Sequence, residues 1–232
     1  GNWSVAANWS CGGTPTGADT ASIGSGLAVT VTGSQGPTSL SNAGTVDIAN
    51  NSGLTLLGTN LNNGVINLQS GGNFTDLSFS GIAALNGSGT VNLSNTTANR
   101  ILATGATTLT IGAGQTVQGA GQWGAGGALG LVNNGTIAAT LGAGMVINTT
   151  AAVTNNSVLR ADGGTLVLQN TVLTQGAAGT LNARNGSVVQ LSNASITGGS
   201  FSSASGGAVA TASGAFGNNL SGVTNTGTFN LV

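Results

Sequence analysis

The sequence predicts an all-β fold, a parallel β-helix (β-solenoid) of about nine coils with an amino-terminal cap. Three observations carry that expectation. Only 3% of the 232 residues are charged, while 39% are hydrophobic and 42 are glycine. A glycine-anchored motif keeps returning, as "NAGTVDIAN" from 42, "NNGVINLQ" from 62 and "NTGTFNLV" from 225. Within each motif polar and apolar residues alternate with a period of two, the signature of a strand with one buried face.

Residues 1–36 read as a cap or first coil. This stretch holds two of the three tryptophans, Trp3 and Trp9, and the lone cysteine, Cys11. An open solenoid end exposes unpaired strand groups and core, so aromatic cover is expected there. A single cysteine forms no internal disulfide, and a small half-buried side chain is the plainer reading of it.

Residues 37–232 read as coils of about 20–25 residues. The anchors are Gly44, Gly64, Gly89, Gly135, Ser157, Gly179, Gly199 and Gly227; the step of 46 from Gly89 to Gly135 is close to two coils. Two residues after each anchor stand Val46, Ile66, Val91, Ile137, Leu159, Leu181, Phe201 and Phe229, a core column without a polar exception. One and three residues after it stand outward columns such as Thr45, Thr90 and Thr136, and Asp47, Asn67 and Asn92. Two residues before it, Asn42, Asn62, Asn133, Asn155 and Asn225 mark the corner. Asn bonds its own backbone in turns, and identical amides one strand apart stack as ladders. Further strand-like runs between the motifs, such as "SGLTLLG" from 52 and "GSVVQLS" from 186, make two or three strands per coil. Glycine interrupts nearly every helical window at about 1 kcal/mol per interior position.

The amino-terminal residues Trp3, Asn8, Trp9, Ser10, Gly12, Gly13, Pro15, Gly17, Asp19, Ala21 and Ile23 resemble the opening of β-solenoid passengers in large bacterial surface proteins. These include autotransporters and filamentous-haemagglutinin-like adhesins. The Asn-x-Gly-Thr-Val/Ile repeats look like the coils of the same proteins. The resemblance implies a right-handed β-helix, secretion and a structural or adhesive role at the cell surface. Cys11 departs from the pattern, which usually runs straight into glycine.

Composition narrows the chemistry. A net charge of −1 leaves no footprint for nucleic acid or for anionic membranes, and no apolar run is long enough to insert as a transmembrane helix. The only acids are Asp19, Asp47, Asp76 and Asp162, in unlike positions, and His, Lys and Glu are absent. No catalytic pair, metal site or cofactor site is therefore expected, and the chain reads as non-enzymatic. "GAGQWG" at 119–124 matches G-x-G-x-x-G without a following helix or acid, so it reads as a corner, with Trp123 on a coil edge or, exposed, as a sugar platform. Arg100, Arg160 and Arg184 read as isolated solvated groups. The outward Thr-x-Asn columns raise ice binding, but Val65, Val158, Arg160 and unequal coil lengths predict an irregular face.

The expected function is an extracellular structural subunit, its targeting segment removed, stacking head to tail with itself into a surface filament. Its assembly edge would involve Trp3, Trp9, Thr228, Phe229, Asn230, Leu231 and Val232 through strand addition. The alternative is an adhesin segment binding glycans or proteins.

Overall fold

The computed structural model describes residues 1–214 and 217–232. Every named strand pairing is parallel and joins one coil to the next, which is the β-solenoid expected. Each coil lays one strand segment on each of three faces. Among the described residues only a three-residue 3-10 turn, Ala6–Asn8, is helical.

The first face is a ten-stranded sheet running from Ala28–Val31 and Thr45–Ala49 to Ser200–Ser203 and Thr224–Asn225. Ten strands make ten coils, so the stack is roughly 48 Å long at about 4.8 Å per coil. The second and third faces belong to one 17-stranded sheet. The second runs from Ser34–Gln35 to Ala208–Thr211 and Phe229–Asn230. The third runs from Thr20–Ile23 and Ser39–Asn42 through Leu129–Asn133, Val153–Asn155 and Val172–Gln175 to Asn219–Ser221. Three long strands, Gly53–Asn62, Thr75–Asn86 and Asn99–Ile111, span both faces. They bend at Gly58, Gly81 and Gly105, whose φ angles of 55°, 67° and 80° suit glycine.

Coil lengths differ, and the corners take up the difference. Along the first face the spacing is 17 residues from Val29 to Val46 and 26 from Val91 to Val117, yet every pair stays in register. The register shifts instead at the bends, between Leu57 and Thr59 and between Thr104 and Thr108. A corner exposes its backbone to water, whereas a slip of one residue on a face would turn a whole buried column outward.

Val46, Ile66, Val91, Ile137, Leu159, Leu181 and Phe201 are all buried on the inner side of the first face. Val117 fills the coil hidden in the long step from Gly89 to Gly135, on an anchor that is Gln115 in place of glycine. Each such side chain contributes about 1.5–3 kcal/mol by leaving water.

The last coil departs from the sequence alignment. Asn225, not Phe229, lies beside Phe201 on the first face, while Phe229 lies on the second face beside Val209. The physical reason is chain length. Phe229 comes four residues after Asn225, and at about 3.3 Å per residue that carries it around the corner. Asn225 is correspondingly exposed and bonds its own Gly227 carbonyl at 3.0 Å, outside any ladder.

Candidate functional site

At the amino-terminal end Gly1–Trp3 lie over the first strand of the first face. The Gly1 ammonium donates to the Ala28 carbonyl at 2.7 Å, and Trp3 N–H donates to the Thr30 carbonyl at 2.8 Å. The Trp3 indole is fully buried, and Trp9 packs edge-on against it at 4.8 Å and donates Nε1–H to the Trp3 carbonyl at 2.7 Å. These two rings close the core, so the Trp3 side chain does not itself offer an assembly surface. Asp19 fixes the adjoining loop by accepting from the Thr16 N–H at 2.9 Å and the Thr16 hydroxyl at 2.8 Å. The backbone bond first, then the hydroxyl, holds its carboxyl below the usual carboxylate range. Cys11 is exposed.

Inside the stack, buried amides form two short ladders. In one, Asn42 Nδ2 donates to Asn62 Oδ1 at 2.8 Å and Asn62 Nδ2 to Gln115 Oε1 at 3.1 Å. In the other, Asn133 donates to Asn155 at 2.9 Å and Asn155 to Gln175 at 3.1 Å. Asn42 and Asn133 also accept from the N–H of Gly44 and Gly135, two residues on. Each ladder ends on a glutamine that the asparagine pattern does not include. Gln175 occupies the Asn155 column, which a period search with Asn/Gln equivalence would find. Gln115 stands at an anchor position and reaches inward, for which the sequence carries no signal.

The outer side of the first face carries a second amide line. Gln118 donates to Asn92 at 3.0 Å, Asn92 to Asn67 at 3.0 Å and Asn67 to the Asp47 carboxylate at 2.7 Å. Asp47 also accepts from Gln69 at 3.1 Å. All donors point toward the carboxylate, the one group here that accepts without donating. The same line holds the carboxamides of a shallow cleft of about 220 Å³ between the coils of Asn67–Gln69 and Asn92–Ser94.

None of the three arginines is isolated: Arg184 Nε donates to Asn182 Oδ1 at 2.8 Å, and the other two face carboxylates. Arg100 pairs with both Asp76 oxygens at 2.7 Å and lies 3.7 Å from the centre of the Phe74 ring. Arg160 sits 3.3 Å from Asp162. Trp123 is neither at an edge nor exposed: it lies in the core between Ile101 and Ile147, 1% exposed, and offers no face to a sugar.

The open place is the far end of the stack. Phe201, Leu220, Gly222, Val223, Asn225 and Phe229 line a groove of about 230 Å³. The Phe201 and Phe229 rings stack at 5.7 Å and 29°, and Val223 and Phe229 pack against the core from this side. Thr228 and Asn230 flank Phe229, and Leu231 and Val232 are 81% and 75% exposed. The strands here, Asn219–Ser221, Thr224–Asn225 and Phe229–Asn230, are each the last of their row.

Fold and site together define the class: a three-sided parallel β-solenoid, uncharged over most of its surface. No protein-family model, curated protein or solved structure matches the chain. Among the described residues no helix is long and apolar enough to cross a membrane, and no three His, Cys, Asp or Glu side chains gather as metal ligands.

Proposed function

We propose that this chain is a non-enzymatic, extracellular structural subunit, a rigid rod that extends end to end into a surface filament. One observation supports the reading above all. The groove at Phe201, Val223 and Phe229 is a cross-section of the core open to solvent, flanked by parallel strand edges on all three faces. Apolar area and unpaired backbone groups together favour another coil seated there. In the filament that coil is the amino-terminal one of a second copy. There the third and second faces begin with Thr20–Ile23 and Ser34–Gln35, which run parallel to the strands they would meet.

Electron microscopy of the purified protein at several concentrations tests the reading. Filaments with an axial repeat of roughly 48 Å, lost in the Phe229→Asp variant, are the expected result. Dispersed rods at every concentration would overturn self-stacking and leave the seat to a further coil of a longer passenger, the adhesin-segment reading.

A further inference from the structure

The third face presents outward side chains that are uncharged and in register; they are small along the column of Thr154, and Ile82 and Leu61 are large apolar exceptions elsewhere on it. Ala84, Thr110, Val132, Thr154, Thr174 and Thr197 stand one coil apart in a single column. Two residues earlier along the strands, a second column holds Ile82, Thr108, Gly130, Val172 and Ser195, with Ile82 90% exposed at its near end. None of the seven charged side chains lies on a third-face strand segment: Asp76 and Arg100 belong to second-face segments, Asp47, Arg160, Asp162 and Arg184 to the first face, and Asp19 to the loop just before Thr20. Among the described residues, the hydroxyls of Thr110, Thr154, Thr174 and Thr197 are left to solvent, while only the outermost pair, Thr20 and Ser39, bond each other at 2.8 Å.

Such a face suits a ligand that is itself flat, periodic and neutral. Its columns repeat at about 4.8 Å along the stack and roughly 6.6 Å across it, two residues of a strand. The oxygen lattice of ice repeats at comparable intervals and offers both donors and acceptors. Threonine matches it twice: the hydroxyl bonds a lattice water, and the γ-methyl orders the waters around it. Val132 keeps that methyl group. A charged side chain would hold its own hydration shell and could not merge with the lattice.

The first face has a similar threonine column at Thr90, Thr116 and Thr136, also in register. Its neighbouring column, however, is committed to the amide line and carries Asp47 and Arg160. We propose that the third face binds ice, using the column centred on Thr154. This site is independent of the end groove and of end-to-end assembly.

The test is ice-affinity partition and thermal hysteresis of the purified protein, with circular dichroism to show that each variant is folded. The wild type is expected to be retained in slowly grown ice. Thr154→Lys should reduce hysteresis about tenfold, a loss of about 1.4 kcal/mol in binding. Thr154→Val should retain most of it, and Thr136→Lys, on the first face, should leave it unchanged. Exclusion of the wild type from ice would overturn the proposal. So would equal losses in the two folded lysine variants, or retention by crystalline cellulose or chitin without retention by ice.

Discussion

Asn155 illustrates what one side chain does in this core. It is fully buried, accepts from the Ser157 N–H at 3.3 Å, and links Asn133 to Gln175 through its own amide. Asn155→Ala orphans Gln175 Oε1, while Asn133 Nδ2 keeps the Val158 carbonyl at 3.1 Å, so the substitution should cost about 1–3 kcal/mol in denaturant unfolding. Asn155→Leu removes the same bonds but fills the space, and separates cavity from polar loss. The asparagine column was legible because each Asn stands two residues before a recurring anchor, Gly in every case but Ser157; Gln115 was not, because only the folded coil turns its longer side chain inward. Asp19 gives the pH prediction. Its folded pKa is lowered, so its contribution is present above the unfolded value of about 3.9 and is lost as pH falls through the folded value. Acid should therefore loosen the 16–19 loop before the stack unfolds. Limited proteolysis between pH 5 and pH 2 should show this in the wild type and no such step in Asp19→Asn, where the carboxyl is already gone.

Strands were legible wherever they alternate and are bounded by a corner glycine, as in Thr45–Ala49 and Thr180–Arg184. The long strands escaped that reading. Gly58 closes the run "SGLTLLG" in the sequence, yet there, as at Gly81 and Gly105, the backbone passes through the glycine from one face to the next. The final motif "NTGTFNLV" failed differently: it repeats the local pattern, but four residues of extra chain place Phe229 on another face. A local pattern specifies alternation, whereas accumulated chain length specifies the face. A coil deletion tests this at its own scale. Removing 160–181 joins Leu159 to Asn182 and brings Leu159 into the place of its stacked partner Leu181. The variant should fold, with the rod shorter by about 4.8 Å in small-angle scattering. Removing only 160–170 should abolish cooperative unfolding, because it places the next strand on the wrong face.

For the whole molecule, a net charge of −1 and an apolar end groove make assembly a matter of apolar burial and strand pairing. Filament onset should consequently change little between low and high salt, as sedimentation at each ionic strength would measure; a steep salt dependence would point to a charged interface instead. The two ion pairs, Arg100 with Asp76 and Arg160 with Asp162, lie on the sides of the rod and outside the groove.

The sequence by itself determined the class of fold, the apolar column of the first face and the scarcity of charge, since these follow from periodicity and composition, which are local. Three matters needed the tertiary structure. Which face receives Phe229 depends on the length of every preceding corner. Trp123 becomes core because its coil closes over it. The third face becomes a regular Thr-rich surface only once corners of unequal length have absorbed the differences and brought Thr110, Thr154 and Thr174 into line.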